Sequence, residues 1–142
     1  MPIVTIAIPF YNSERYLSDA ICSVLNQSYI DWELLLLDDG STDESLNIAK
    51  SFTDGRIKII SDGMNRGLIY RLNESINMAR GKFYARMDAD DIMHPDRIKK
   101  QVECLSRNVR VDVVGTAWYS IDCNNRVFVI MNPMSFQPQG IF

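Results

Sequence analysis

Three aspartates crowd one short stretch of the chain, because Asp88, Asp90 and Asp91 all stand within FYARMDADDIMHPDRI. Carboxylate oxygens are hard ligands that suit Mg²⁺ or Mn²⁺, and such ions usually share their coordination with the phosphates of a substrate. A bound cation would also relieve the repulsion between the like charges. The pair Asp88 and Asp90 therefore predicts a divalent-metal site. The alternative is that Asp91 caps the next helix and the other two are only solvated.

A second acidic pair, Asp38 and Asp39, ends an apolar run in LLLLDDGSTD. One carboxylate at such a strand end can accept a hydrogen bond from an N–H of a nucleobase, while the other accepts from backbone amides and holds the loop. Simple turn chemistry is the alternative, because aspartate, glycine and serine are common turn formers. Tyr11, in PFYN, offers a ring on which a base can stack, or else fills the gap between a helix and the sheet.

Several common catalytic motifs are missing from the sequence. The stretch PFYNSE has no glycine, and neither GxxxxGK[ST] nor G-x-S-x-G occurs, which argues against dinucleotide, P-loop and nucleophile-elbow sites. A Ser-His-Asp triad would need His94, the only histidine. An EF-hand is excluded because Ile92 and Met93 stand where a ligand and a glycine are needed.

The composition fits one soluble domain, since 142 residues with 46% hydrophobic residues are enough to fill a core. A net charge of −3 argues against a nucleic-acid partner. The apolar runs are too short to cross a bilayer, and the first residues lack the basic region of a signal peptide. Three scattered cysteines, Cys22, Cys104 and Cys123, fit free thiols in a reducing compartment. We expect a cytoplasmic location, and leave open peripheral attachment at the inner face of the membrane.

Apolar patterning predicts the element order β-α-β-α-β-α-β-α-β-β. Strands are expected at residues 4–8, 32–38, 56–60 and 82–87, and two later strands in DVVGTAWYSID and RVFVIM are joined by the turn CNN. Pro9 is expected to stop the first strand, and Gly81 to end the third helix as a C′ glycine.

The helices are predicted from their spacing and caps. Asn12 or Ser13 is expected to cap the first helix, and Ser41 or Thr42 the second. The inner face of the third helix is predicted at every third or fourth position, namely Leu68, Leu72, Ile76 and Ala79.

Alternating strands and helices predict an α/β fold of three layers, with a mostly parallel sheet between helices. Ligands of such sheets bind beyond the carboxyl ends of the strands. That edge would bring together PFYN after the first strand, DDGSTD after the second and DADD after the fourth. We expect residues 1–130 to form this domain and residues 131–142 to form an irregular tail.

Four groups of residues stand in order along the chain, namely VTIAIPFYN, SVLNQSY followed by DWELLLLDDGSTD, NRGL with LNESINMARGKF, and ARMDADDIMHPDRI. Together they resemble the family 2 glycosyltransferases over about residues 3–121. The form ARMDADD is similar to bacterial enzymes that build surface polysaccharide. The resemblance implies the GT-A fold and transfer of a sugar, with inversion, from a nucleoside-diphosphate donor to a saccharide or lipid-linked acceptor.

The resemblance also implies roles for single residues. Pro9 and Tyr11 would border the base, and Asp39 would accept the N3–H of uracil if the donor is UDP-linked. Asp88 would contact the ribose or the metal, and Asp90 would be the ligand of Mn²⁺ or Mg²⁺, which acts as a Lewis acid on the leaving diphosphate.

Three arginines near the same edge, Arg66, Arg71 and Arg86, are candidates to contact the diphosphate. The alternative is that each is solvated, or is paired with an aspartate of the cluster and holds it in place.

The chain also departs from the family, whose complete members continue well beyond this length and carry the general base in their acceptor half. We therefore expect a donor-binding half, assign no catalytic base, and expect self-association through the exposed edge. Two alternatives stay open. One is a non-catalytic nucleotide-binding fragment, and the other is a phosphohydrolase with Asp88 as nucleophile and Asp90 as acid and base.

Overall fold

The protein is described here by a computed structural model that covers residues 1–122 and 126–131. The elements follow the predicted order. They are β1 (Val4–Phe10), α1 (Leu17–Leu25), β2 (Trp32–Asp38), α2 (Ser45–Ser51), β3 (Ile57–Ser61), α3 (Leu68–Met78), β4 (Phe83–Arg86), α4 (Arg97–Arg107), β5 (Trp118–Ile121) and β6 (Val127–Met131).

Four strands form one parallel sheet in the order β3-β2-β1-β4. The chain therefore winds outward from β1 to β3 and then returns to the other side of β1. The reversal between β1 and β4 is a topological switch point, the position at which sheets of this kind bind their ligands. The predicted α/β fold with a mostly parallel sheet is confirmed.

Both faces of the two central strands are buried, because β1 and β2 are covered along all seven of their residues. One face carries Ala7, Leu35 and Leu37, against which Met78 of α3 packs. The neighbouring positions of the same strands point to the opposite face, and their side chains, Ile6, Ile8, Leu34 and Leu36, are fully buried as well. This double burial explains why WELLLLD is almost continuously apolar.

Pro9 does not stop β1, which corrects the expected end of this strand at residue 8. The strand continues to Phe10, and Pro9 keeps its register with Leu37. Ala7 accepts a hydrogen bond from Met87 beyond β4, so Pro9, two residues further on, faces that same side. Pairing with β4 ends at Ala7, and the missing N–H therefore costs no ladder hydrogen bond.

Gly81 is required for close packing and not for a helix cap, which corrects its expected role. The helix α3 ends at Met78. Its C-cap residue, Ala79, has an extended backbone conformation with φ −62° and ψ 133°. A Cβ on Gly81 would lie 2.4 Å from the backbone N of Thr5 and 2.6 Å from the carbonyl carbon of Val4. The turn between α3 and β4 thus lies directly against the first residues of β1.

A buried carboxylate holds this turn at the amino end of the sheet. Glu33 is 3% exposed and accepts hydrogen bonds from the Thr5 hydroxyl at 2.7 Å and from the Arg80 amide at 2.8 Å and Nε at 2.7 Å. Burial alone would raise the pKa of Glu33, but the hydrogen bonds from Arg80 and Thr5 outweigh it and lower the pKa below its usual value.

The chain divides into two compact units, and the boundary between them falls between Lys99 and Lys100 in the sequence. In the second unit, β5 and β6 pair with each other in antiparallel fashion, as the expected turn between them requires. That turn, at residues 123–125, and nearly all of the expected tail lie outside the described residues. The expected domain boundary at residue 130 stays a prediction. Within the described ranges, no helix is long and apolar enough to span a membrane.

The contact at Gly81 leads to a first prediction. Gly81→Ala should lower the free energy of unfolding by about 1–3 kcal/mol, because the added methyl group meets backbone atoms that cannot rotate away. Urea unfolding measures this loss. Gly55→Ala is the matched control, since a Cβ there meets no atom within 4 Å, and an equal loss in both variants would contradict the explanation.

Candidate functional site

The carboxyl ends of the strands bring the expected loops to one edge of the sheet. Arg86, the last residue of β4, is in register with Ala7 of β1, so DADD begins beside the end of β1. The Asp39 amide donates to the Phe10 carbonyl at 2.8 Å, which places the loop after β2 beside Tyr11. Tyr11 is 48% exposed and thus open to a ligand.

Two of these loops are joined by hydrogen bonds. The Asn12 amide donates to the Ser41 hydroxyl at 3.1 Å, and Asn12 Oδ1 accepts from the Thr42 amide at 2.8 Å. The Ser13 amide donates to the Ser45 hydroxyl at 2.7 Å. Asn12 has φ 48°, a left-handed conformation that asparagine tolerates better than most residues.

The same bonds correct the expected helix caps. The N-cap residues are Tyr16 for α1 and Glu44 for α2, and neither makes a side-chain capping hydrogen bond. The asparagine and serine side chains bind across the two loops instead.

Asp38 holds its own loop, as expected of one member of the pair. It is 1% exposed, and it accepts hydrogen bonds from the Ser41 amide at 2.9 Å and from the Ser61 hydroxyl at 2.7 Å. Gly40, two residues further on, has φ 74°, and a Cβ there would lie 2.8 Å from the backbone N of Asn65. Glycine is thus needed both for the turn and for the close approach of the loop after β3.

Asp39 holds that neighbouring loop. Its Oδ1 accepts from the Arg66 amide at 2.8 Å and from Arg71 Nε at 3.0 Å, and its Oδ2 accepts from the Gly67 amide at 2.9 Å. A carboxylate has about four acceptor positions, so one position remains on Oδ2. Asp39 as a whole residue is 6% exposed.

Arg71 is the centre of a hydrogen-bond network at this edge of the sheet, and we call this network the hub. The residue is 0% exposed, and besides Asp39 it donates to Asp62 at 2.5 Å, to Glu74 at 2.9 Å and to the Met64 carbonyl at 2.6 Å. Burial alone would lower the pKa of Arg71, but the hydrogen bonds to these carboxylates outweigh it and raise the pKa. Arg71 has no exposed atoms to offer, which argues against its expected contact with a diphosphate and favours the pairing alternative.

The burial of Arg71 also corrects the expected inner face of α3. The buried residues of this helix are Arg71 and Ser75, whereas Leu68 and Ile76 are 47% and 55% exposed. Asp62 and Glu74, which complete the hub, were not predicted, because the sequence has many arginines and many acidic residues and does not show which of them pair. Their one sequence signal is the spacing of Arg71 and Glu74, which places them on the same side of a helix.

One arginine, Arg86, forms an ion pair with an aspartate of the acidic cluster. Asp88 Oδ1 accepts from Arg86 Nε at 3.1 Å and Nη2 at 2.8 Å, and both side chains are half-exposed. Arg86 is therefore paired with the cluster, as the alternative reading of that arginine expects. Arg66 donates to Asp62 at 2.9 Å, and its side chain stays 37% exposed.

The negative charges of the other two aspartates of the cluster, Asp90 and Asp91, are less well balanced by hydrogen-bond donors and positive charges. Asp90 is exposed and accepts no hydrogen bond from the side chains and amides of the described chain. Burial by the surrounding chain, and then the charges of Asp88 and Asp90, raise the pKa of Asp91. Asp91 does not cap α4, which begins only at Arg97.

The donor set fits a hard divalent cation that shares its ligands with a phosphate. Within residues 1–122 and 126–131, no three acidic, histidine or cysteine side chains converge as a complete metal-binding cluster. Mg²⁺ and Mn²⁺ need only one or two carboxylates when phosphate oxygens complete the coordination. Asp90, exposed beside Asp88, meets that lower requirement.

The buried hub leads to a second prediction. Arg71→Met should lower the free energy of unfolding by about 3–5 kcal/mol, because it leaves the Asp39 charge buried without its partner. Urea unfolding is the measurement. Arg66→Met is the control, since its partly exposed ion pair with the same Asp62 should contribute little. If the two variants were equally stable, Arg71 would not be the centre of the hub.

Known proteins resemble this chain in sequence. A family model described as glycosyl transferase family 2 matches residues 5–141. The putative glycosyltransferase EpsE of Bacillus subtilis (strain 168) is 42% identical over 124 residues, which cover 85% of this chain and 45% of EpsE. The UDP-Glc:alpha-D-GlcNAc-diphosphoundecaprenol beta-1,3-glucosyltransferase WfgD of Escherichia coli is 34% identical over 125 residues, with 88% and 49% covered. The chain thus spans a little under half the length of these relatives.

Solved structures share the fold. TarS 1-349 of S. aureus in complex with UDP-GlcNAc matches with a TM-score of 0.70 and 25% identity, over 75% of this chain and 32% of that chain. The mannosyltransferase PcManGT of Pyrobaculum calidifontis, in complex with GDP-Man and Mn2+, matches with a TM-score of 0.68 and 24% identity, over 74% and 32%. The expected GT-A fold is confirmed.

Proposed function

Because the chain belongs to glycosyl transferase family 2, we propose that its four-stranded unit binds a nucleoside-diphosphate sugar as the donor for inverting transfer to an acceptor hydroxyl. One observation carries this proposal. An exposed aromatic ring (Tyr11), a buried carboxylate with one acceptor position left (Asp39) and two exposed carboxylates (Asp88 and Asp90) follow three neighbouring strands at the carboxyl edge of the sheet. These are the groups that a base and a diphosphate with its cation require.

The base would bind at the end of β1. Tyr11 stacks on its face, and the free position on Asp39 Oδ2 accepts the N3–H of uracil, so a UDP-linked donor fits this carboxylate. The relative WfgD is named for a UDP-Glc donor, which supports the choice. Pro9 is buried within β1, and we propose that it borders the base pocket from beneath.

The diphosphate would bind toward β4. Asp90 holds Mn²⁺ or Mg²⁺ together with Asp88, and the bound cation supplies charge neutralisation for the leaving diphosphate. The solved PcManGT complex contains Mn2+, which supports a divalent cation. Arg86 orients Asp88 through its two hydrogen bonds, and the exposed guanidinium groups of Arg86 and Arg66 are available to phosphate oxygens.

The acceptor is proposed to be a saccharide or a lipid-linked saccharide, as in surface-polysaccharide synthesis. The name of WfgD includes a diphosphoundecaprenol acceptor, and such an acceptor would place the protein in the cytoplasm, at the inner face of the membrane. No described residue is assigned as the general base. Self-association through the sheet edge stays a prediction.

Donor binding without turnover is a second candidate for the described residues, because none of them is assigned as the general base. Nothing favours the phosphohydrolase. That chemistry normally uses an aspartate after the first strand, where this chain has Tyr11 and Asn12.

The metal role leads to a third prediction. Asp90→Asn should abolish the enhancement of UDP binding by Mn²⁺, because the open carboxylate loses its charge, while the fold survives since Asp90 is exposed. Isothermal titration with UDP, with and without Mn²⁺, measures this effect, and GDP in place of UDP tests the base. Asp112→Asn, an exposed aspartate of the second unit, is the control. Equal enhancement in wild type and Asp90→Asn would exclude Asp90 as a ligand.

The stacking role leads to a fourth prediction. Tyr11→Ala should raise the Kd for UDP by about 5- to 150-fold, the equivalent of about 1–3 kcal/mol for one stacked base. Tyr11→Phe should bind as the wild type does, because the ring is retained. Equal affinities for Tyr11→Ala and Tyr11→Phe would show that the ring is not a stacking platform.

A further inference from the structure

The segment that follows the acidic cluster is tied to the end of α1. The Met93 amide donates to the Ser23 hydroxyl at 3.0 Å, and the Ser28 amide donates to the Pro95 carbonyl at 2.9 Å. Gln27 is 5% exposed and lies between these two contacts. The sequence gives no sign of this tie, because the segments stand far apart in the chain.

Gln27 makes the central contacts. Its Nε2 donates to the His94 carbonyl at 2.8 Å and to the Ser23 carbonyl at 3.2 Å, and its Oε1 accepts from the Ile98 amide at 3.1 Å. One buried side chain thus holds residue 94 and the first turn of α4 at the same time. Both ends of the amide group are used, so no shorter or apolar side chain can replace it.

The acidic cluster lies between two fixed points. On one side, the Met87 amide donates to the Ala7 carbonyl at 3.1 Å, which fixes the chain to the sheet. On the other side, Met93 and His94 are fixed by α1. Residues 88–92, between these points, contain all three aspartates, and their charges repel one another. Holding both ends of this loop limits how far the repulsion can move the carboxylates apart.

We propose that Gln27 is a positioning residue of the cation site, which holds Asp88 and Asp90 close enough to bind one divalent ion together with a diphosphate. The inference rests on the proposed function. It predicts a selective effect, because Gln27 holds the cluster and makes no hydrogen bond to the loops of Tyr11 and Asp39. Loss of its hydrogen bonds weakens the cation-dependent part of nucleotide binding and leaves the cation-independent part unchanged.

Gln27→Met tests this proposal, because methionine has a similar length and shape and lacks the amide. UDP is titrated with and without Mn²⁺ by calorimetry. The expected result is a loss of about 10-fold in the Mn²⁺ enhancement, the lower end of the range for groups that orient metal ligands, with unchanged Kd for UDP alone. Ser23→Ala, which removes one contact of the same segment, should give a smaller loss of the same kind and serves if Gln27→Met does not fold.

Thr5→Val is the matched control for general destabilisation. It removes a buried hydroxyl from the Glu33 network at the opposite end of the sheet and should leave both titrations unchanged. If UDP binding with and without Mn²⁺ falls equally in Gln27→Met, the residue is only structural and the proposal is overturned. Unchanged enhancement in Gln27→Met and Ser23→Ala overturns it as well. If the wild type shows no enhancement, the proposed function itself fails.

Discussion

The buried ion pair between Arg71 and Asp39 is the interaction on which the ligand edge of the sheet depends. Removing an arginine and a carboxylate from water costs several kcal/mol per ion, and such a pair is tolerated only when the remaining donors and acceptors are satisfied. Here Arg71 also binds Asp62, Glu74 and the Met64 carbonyl. Three segments, namely the end of β2, the loop after β3 and the start of α3, are thereby held in one arrangement.

The opposite end of the sheet is also held by an ion pair, but there the acidic residue is the more deeply buried partner. There the carboxylate of Glu33 is buried and its arginine partner, Arg80, is exposed at the surface. Between the two ends the sheet is held by apolar side chains that are fully covered. The core therefore supplies the bulk of the cohesion, while two polar networks determine where the connecting turns lie relative to the strands.

The strongly patterned parts of the fold were predictable from the sequence. The apolar run of β2 predicts both limits of that strand, and the order of strands and helices alone is enough to group Tyr11, Asp39 and Asp88 at one edge of the sheet. The errors fall where a residue is selected by tertiary packing. Gly81 resembles a helix cap but is required by the backbone of β1, and Pro9 resembles a strand end but faces a side without a partner strand. Gln27 stands in SVLNQSY, a stretch that the resemblance includes, but its partners lie in a distant segment that this stretch does not indicate.

The orientation of α3 about its own axis follows from Arg71. An amphipathic helix normally turns its most apolar stripe inward, yet here the ion pair turns the helix so that Ile69 and Ile76 are 78% and 55% exposed. Aliphatic side chains in water add nothing to the core, and exposed positions are those where substitutions disturb stability least. The outer face of α3 is therefore open to sequence drift and to redesign for solubility.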